Sequence, residues 1–373
     1  MQSNSNPFNK LADQEFSFNS FFNPKTGEYL RTGILDQNEK DTGIDAFMSS
    51  FPHLLDVGIM GHCSHGLSGR CSAAGTHCYQ SGATVQQANM TLEDFKSIVD
   101  QSKGLAFQFA LGGRGDPDQH ENFEEILTYC RDNGIVPNMT TSGYLLDESK
   151  AALIGKYCGA AAVSWYRNDY TYKAIDLLSS TGIHVNLHFV LSRRTLEEAI
   201  KLIEDRQIHN KINRIVFLLY KPVGQATDED ILTYDERTRY FFSLIDTDYG
   251  LEKIGFDSCC VPGVLNSTHI VDPSCYDACE AGRFSAYVTP DMQFLPCSFD
   301  QSQQWAVSLR THSLKQAWNS EAFEAFRAHL RIACPDCDKR ELCMGGCPIK
   351  PAITLCPDIN QKKEVNEQDE IQN

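Results

Sequence analysis

Three cysteines, Cys63, Cys71 and Cys78, lie in one glycine-rich stretch, GHCSHGLSGRCSAAGTHCYQSG, together with His62, His65 and His77. Three thiolates from a single flexible loop can converge on one metal centre, and three rather than four leave a coordination position open, as metal catalysis requires. An iron-sulfur site and a zinc ion completed by one of the histidines fit this spacing about equally, and reduced thiols without a ligand fit it too. A second group runs Cys275-x3-Cys279, Cys297, Cys334-x2-Cys337-x5-Cys343-x3-Cys347 and Cys356. Eight cysteines suffice for two four-thiolate sites, since a tight pair presents two sulfurs from one turn; a pair of zinc ribbons meets the same spacing. Cys130 and Cys158 fall at helical core positions and read as small buried hydrophobes, whereas Cys259 and Cys260 have no role legible in the sequence.

Between the two groups stands Leu111-Gly112-Gly113-Arg114-Gly115-Asp116-Pro117. Glycines there let the backbone approach a ligand and aim its N–H and C=O groups at it, and Asp116 can pair with an ammonium. A sharp turn that simply needs glycine is the plainer explanation, and it weakens beside a metal-ligand loop on the adjacent strand end.

From Pro52 onward, short β-rich apolar runs alternate with helical periods, which predicts strands at 53–59, 106–111, 135–141, 160–165, 184–191 and 212–220, with five helices between them. Thr91 with Asp94 and Thr195 with Glu198 predict capping-box starts, Asp147 a cap, and Gly134, Gly159 and Gly182 helix stops. Six such units joined right-handedly predict an α/β fold, a partial (β/α)6 TIM-like barrel, followed by a small cysteine-rich, loop-rich domain. About thirty residues, 60 to 90, separate the first strand from its helix where such loops usually take 2 to 6, and they sit where barrel enzymes place chemistry. The expected organisation is an irregular extension over 1–46, the barrel over 47–225, a linker and helix over 226–258, the cysteine-rich domain over 259–357 and a disordered tail over 358–373.

Among the 373 residues, 33 Lys and Arg face 49 Asp and Glu, and the net charge of −16 works against binding nucleic acid or an anionic membrane. No apolar run approaches a membrane span, and the amino terminus lacks the apolar stretch of a secretory signal, so a cytoplasmic protein is expected. In that reducing compartment 15 cysteines point to metal rather than to disulfides.

Taken together, these residues resemble a radical S-adenosylmethionine enzyme with a carboxyl-terminal SPASM domain, the auxiliary-cluster module of many peptide- and protein-modifying maturases. The run from Cys334 through Cys337, Cys343 and Cys347 to Cys356 matches that domain's most specific motif, and Cys279-Glu-Ala-Gly282, Val288-Thr-Pro-Asp291 and Pro296-Cys297 resemble its opening. Cys78-Tyr79 resembles the end of the family's three-cysteine motif, and residues 112–117 its glycine-rich motif, which holds the methionyl amino group. Thr141-Ser142-Gly143 resembles the turn after the third strand; Ser164 and Asn186 or His188 fall where the family contacts ribose and carboxylate. Two departures stand out. The loop reads C-x7-C-x6-C in place of the usual C-x3-C-x2-C, and Met292 occupies the place of a glycine.

The resemblance implies three four-iron four-sulfur clusters and S-adenosylmethionine. Cys63, Cys71 and Cys78 would bind the first cluster, and Gly112, Gly113, Gly115, Asp116, Ser164, Asn186 and His188 the cofactor. Cys275, Cys279, Cys297 and Cys347 would hold one auxiliary cluster, and Cys334, Cys337, Cys343 and Cys356 the other. The implied activity is reductive cleavage of S-adenosylmethionine to a 5′-deoxyadenosyl radical that modifies a peptide or protein side chain, by crosslinking or oxidation of a ribosomal peptide. A reductant such as flavodoxin or ferredoxin is implied as partner. Residues 1–46 are too short and irregular for a separate leader-binding domain, so recognition is expected from the barrel or from a partner protein. Tyr166, Asp169, His188, Tyr220 and Lys221 fall at or just past strand ends, and none is assigned as catalytic. The alternative is a catalytically silent binding or electron-transfer iron-sulfur protein, motivated by the altered loop spacing. A zinc scaffold ranks lower because it leaves the glycine motif and the barrel unexplained.

Overall fold

The computed structural model describes residues 7–73, 77–269, 272, 275–332, 334 and 336–357; the tail at 358–373 lies outside the described residues. Asn9–Asp13 (β1), Phe18–Phe22 (β2) and Tyr29–Arg31 (β3) form an antiparallel sheet in that order. Sheet structure thus replaces much of the irregular extension expected before residue 46. Phe18, Ser20 and Phe22, alternate residues of β2, are buried, as in a half-buried strand. Phe18 meets Phe284 edge-on at 6.1 Å, and Phe22 lies 5.5 Å from Phe107. The Tyr29 hydroxyl bonds His53 Nδ1 at 2.6 Å, while burial lowers the His53 pKa to about 4 and keeps the ring neutral.

The strand-helix alternation follows. Leu54–Met60 (β4) leads into two short helices, Ser64–Leu67 (α1) and Arg70–Ala73 (α2), and then to Leu92–Ser102 (α3). Next come Gln108–Gly113 (β5), Phe123–Asp132 (α4), Val136–Thr141 (β6), Glu148–Tyr157 (α5), Ala160–Ser164 (β7), Asp169–Ser180 (α6), His184–Leu191 (β8), Leu196–Glu204 (α7) and Arg214–Leu219 (β9). All six expected strands are present. Thr91 Oγ1 accepts the Asp94 N–H at 3.1 Å and Asp147 Oδ1 the Lys150 N–H at 2.9 Å, satisfying helix-start amides that would otherwise lack partners. The capping box expected at Thr195 does not form. Its hydroxyl instead accepts the Ser192 N–H at 2.9 Å and donates to the Val190 carbonyl at 2.7 Å, tying down the end of β8.

The rest of the described chain comprises Glu236–Ser243 (α8), Asp248–Lys253 (α9), Ile254–Phe256 (β10), Val261–Ser267 (α10), Ser285–Val288 (β11), Gln293–Leu295 (β12), Val307–Ser308 (β13), Leu314–Trp318 (α11), Glu321–His329 (α12) and Arg340–Cys343 (α13). The chain divides into two compact units, 1–76 with 80–185 and 281–327, and 77–79 with 186–280 and 328–373. In the first, strands run in the order β7-β6-β5-β4-β11-β12-β13, with β4 to β7 parallel and β11 parallel to β4. Residues 281–327, expected in the cysteine-rich domain, therefore belong to the first unit. In the second, β10-β9-β8 are parallel, so the segment expected as linker also supplies a strand. Among the described residues no helix is long and apolar enough to cross a membrane.

Aromatic rings fill both interiors. In the first unit Phe294 stacks on Phe323 at 4.8 Å beside Trp318, which is fully buried and donates its indole N–H to the Ser49 carbonyl at 2.9 Å. Arg327 lies over the Trp318 ring and donates to the Gly282 and Trp318 carbonyls; burial lowers its pKa to about 10, and it remains charged at neutral pH. In the second unit Phe217 meets Phe189 at 5.3 Å and Phe241 at 4.9 Å. Trp318→Ala removes the largest of these side chains and leaves a cavity, at an expected cost of about 3–5 kcal/mol. Denaturant titration measures the loss, and one below about 1 kcal/mol would contradict this packing.

Candidate active site

The cysteine loop leaves β4 at Gly61 and runs into α1, whose N-cap is Cys63: the Gly66 N–H donates to the Cys63 sulfur at 3.1 Å. An amide directed at sulfur is one of the contacts by which proteins stabilise iron-sulfur ligands. Cys71 is buried on α2. The short helices α1 and α2 take up the additional residues between Cys63 and Cys71. Residues 74–76 lie outside the described residues, and Cys78, half-buried, belongs to the second unit.

The glycines after β5 divide into two kinds. Gly113 has a left-handed φ of +109°, and a Cβ there would stand 2.8 Å from the Met60 carbonyl oxygen; a Cβ on Gly115 would collide with the His62 carbonyl. Across the same contact, a Cβ on Gly82 would stand 3.0 Å from the Cys63 Cβ. Gly113 thus lets the end of β5 close on β4, while Gly115 and Gly82 let the cysteine loop lie against the strand end. Gly112 differs: nothing lies within 4 Å of where its side chain would be, which leaves an open cradle at the carboxyl end of β5. The amide on the Cys63 sulfur and this cradle fit an iron-sulfur cluster with a cofactor beside it.

Asp116, expected to meet an ammonium, directs both carboxylate oxygens to the turn after β6: it accepts the Ser142 N–H at 2.6 Å and the Ser142 hydroxyl at 2.5 Å. Asp118 accepts the Thr141 hydroxyl at 3.0 Å and lies 3.8 Å from Lys150 Nζ. Burial and the neighbouring Asp118 charge raise the Asp116 pKa to about 7, and burial raises Asp118 as well. Ser164 is the last residue of β7. Asn186 sits near the amino end of β8, opposite Arg214 at the start of β9, and accepts from the Asn213 amide at 3.0 Å. That placement is away from the strand end where barrel chemistry sits. His188, two residues further along β8, is half-buried, and burial lowers its pKa to about 4.

Of the rim candidates, Lys221 is buried and bonds Asp257 at 2.7 Å and the Leu219 carbonyl at 3.0 Å. Burial pulls its pKa down, but Asp257 and nearby thiols hold it above the usual lysine value. The Tyr220 hydroxyl donates to the Thr227 carbonyl at 2.9 Å, and Asp169 opens α6. Tyr166 packs 4.5 Å from the ring of His65, a residue the sequence offered only as one of three histidines able to complete a zinc site, whose Nε2 bonds the Tyr170 hydroxyl at 2.6 Å.

In the second unit, Cys334, Cys337, Cys343 and Cys356 line one cavity of about 220 Å³ together with Pro262, Asn266, Lys339 and Thr354. Lys339 Nζ bonds Asn266 Oδ1 at 2.9 Å, fastening one wall to α10. Burial raises the Cys343 thiol pKa, and Cys337, Cys334 and Cys356 add to the shift. Four cysteines around one shared space fit an iron-sulfur cluster. Cys275 is exposed; Cys279 and Cys347 are half-buried, and the Cys347 sulfur accepts the Lys350 N–H at 3.4 Å. Cys297, also half-buried, belongs to the first unit. Met292 holds a left-handed φ of +68° in the turn from β11 to β12, the conformation glycine adopts without strain. Cys130 and Cys158 are buried, and Cys260 is fully buried with its N–H bonded to Asp257 at 3.2 Å.

Residues 279–344 match the SPASM family, an iron-sulfur cluster-binding domain. The Fe-coproporphyrin III synthase of Methanosarcina barkeri is 22% identical over 205 residues, 50% of this chain and 51% of that protein, so the match spans about half of each. The PqqA peptide cyclase of Granulibacter bethesdensis is 22% identical over 342 residues, 82% of this chain and 85% of that one. Crystal structures of Streptococcus suis SuiB share the fold. The form bound to S-adenosylmethionine has a TM-score of 0.64 at 19% identity, covering 80% of this chain and 74% of SuiB, and the form bound to the precursor peptide SuiA has 0.63 at 19%, covering 80% and 72%. Residues 279–344 thus match an iron-sulfur cluster-binding domain within an α/β fold, and the chain resembles the radical S-adenosylmethionine peptide maturases, as its cysteine motifs indicated.

Asp116 makes the site's stability pH-dependent. Its pKa in the fold, about 7, exceeds its ordinary 3.8, so the stability it contributes is complete below 3.8 and is lost as pH rises through about 7. The wild-type unfolding free energy, measured relative to Asp116→Asn, should therefore fall between pH 4 and 7 by up to about 1.4 kcal/mol per pH unit. Parallel curves for the two proteins would contradict the assignment.

Proposed function

We propose that this chain is a radical S-adenosylmethionine enzyme that modifies a side chain of a peptide or protein, by crosslinking or oxidising a residue of a ribosomally made precursor. The observation that carries the proposal is the seating of the cysteine loop against the glycine motif, with an open cradle at Gly112 beside it. The chain's similarity to a peptide cyclase along most of both lengths, and a fold shared with SuiB in a precursor-peptide complex, support a peptide substrate.

Cys63, Cys71 and Cys78 would hold the catalytic cluster, and Gly112, Ser164 and His188 would face the cofactor. When bound, cluster and cofactor together supply one-electron cleavage of the sulfonium and a carbon radical able to take hydrogen from a substrate C–H bond. The chain's own residues position the parts. Asp116 fixes the Thr141-Ser142-Gly143 turn through Ser142, and Gly115 admits the loop backbone. Cys334, Cys337, Cys343 and Cys356 would hold one auxiliary cluster, and Cys275, Cys279, Cys297 and Cys347 the other. A flavodoxin or ferredoxin would supply the electron, in the cytoplasm, where 15 thiols stay reduced.

The second reading, a silent iron-sulfur protein, draws on the helical residues inserted between Cys63 and Cys71. Anaerobically reconstituted protein given S-adenosylmethionine and dithionite separates the two. We expect 5′-deoxyadenosine to form and about twelve irons per chain to be bound, with Cys63→Ala abolishing the product and leaving about eight. A cluster-loaded wild type that forms no 5′-deoxyadenosine overturns the proposal, and eight irons in the wild type would favour the silent protein.

A further inference from the structure

The cysteine loop is long, and every added residue gives its sulfurs more conformations to lose when they converge on one cluster. One side chain ties its base. The Arg114 guanidinium donates from Nη1 to the Gly61 carbonyl at 2.9 Å and to Gln87 Oε1 at 3.1 Å, and from Nε to the Gln80 carbonyl at 2.9 Å. Gly61 is where the chain leaves β4; Gln80 and Gln87 are where it returns toward α3. The Arg114 N–H bonds the Met60 carbonyl at 3.0 Å, and the Gln87 N–H bonds the Gly61 carbonyl at 3.0 Å, so the two ends of the loop meet at this residue. A second fastening lies further along the loop. His65, on α1, bonds Tyr170 and stands against the rings of Tyr166 at 4.5 Å, Tyr170 at 5.4 Å and Tyr144 at 5.6 Å. Tyr144 in turn lies under the Arg70 guanidinium at 5.2 Å, which ties α2 to the same group.

We propose that Arg114 is a positioning residue that clamps the base of the cysteine loop, with His65 anchoring the loop further along, and that these contacts make the C-x7-C-x6-C spacing able to hold a cluster. The inference rests on the proposed cluster at Cys63, Cys71 and Cys78. A short C-x3-C-x2-C loop has little slack to remove, whereas this one does. Arginine suits the task because its planar fork presents several donors in fixed directions, whereas lysine offers one compact ammonium on a flexible stem.

The test compares full-length wild type, Arg114→Lys and Arg114→Ala, each reconstituted anaerobically. Three quantities are measured: iron per chain, the electron paramagnetic resonance signal of the reduced protein with and without S-adenosylmethionine, and amide exchange across residues 77–87. Wild type should show a signal component that shifts with the cofactor. Arg114→Ala should lose that component and about four irons per chain, keeping the auxiliary signals, and Arg114→Lys should recover part of it. Exchange across 77–87 should rise about tenfold or more in Arg114→Lys, which retains the positive charge and thus keeps the measurement available if the alanine variant does not fold. Wild-type cluster content, cofactor response and exchange in both variants would overturn the clamp alone. A wild type with no cofactor-responsive component overturns the functional proposal and this inference with it.

Discussion

The close approach of the cysteine loop to the end of β5 is the constraint on which the rest of the site depends. Two stretches of backbone lie so near each other that a single methyl group at Gly115 would strike the His62 carbonyl, and one at Gly82 would press on Cys63. Contacts this short leave the first cysteine little freedom relative to the strand that carries the glycine motif. The same motif keeps Gly112 open, so one segment both admits the loop and leaves space for a ligand.

The carboxylates beside the motif contribute in a different way. Asp116 is half-buried and Asp118 buried beside it; Asp118 accepts a hydrogen bond from Thr141 at the end of β6, and Asp116 accepts two from Ser142 in the turn that follows. Desolvation first, and the neighbouring Asp118 charge second, disfavour the ionised form, which is why the Asp116 pKa stands near neutrality. In exchange, the ends of β5 and β6 are tied together by side chains as well as by the sheet. Orientation of a reactive centre depends on supports of this kind, because small displacements at strand ends reach whatever is bound there.

Much of the fold was legible in the sequence because each strand from β4 to β9 is an apolar run between recognisable caps and stops. Leu54–Met60 and Arg214–Leu219 need only their own residues to be identified. The amino-terminal sheet was not legible: β1 is largely exposed, β3 has three residues, and β2 is explained by the burial of Phe18 against Phe284 and of Phe22 against Phe107. Nor could local pattern show that β11 pairs with β4, which lies more than 200 residues earlier, or that Ile254–Phe256 adds a strand beside β9. In the site, cysteine spacing marked eight cysteines as enough for two four-thiolate sites, and the grouping of Cys334, Cys337, Cys343 and Cys356, which line one cavity, came from the family resemblance. It could not show that Asp116 bonds Ser142, that Asn186 lies toward the amino end of its strand, or that Arg114 and His65 hold the loop. Those facts depend on tertiary neighbours that no local spacing encodes.

An anaerobic crystal structure with iron anomalous scattering, grown with S-adenosylmethionine, tests the central claim most directly. The account predicts a four-iron cluster bonded by Cys63, Cys71 and Cys78, its fourth iron without a protein ligand and facing the cofactor near Gly112. A single zinc ion at those sulfurs, a histidine completing the cluster, or sulfurs pointing apart with no metal between them would contradict it.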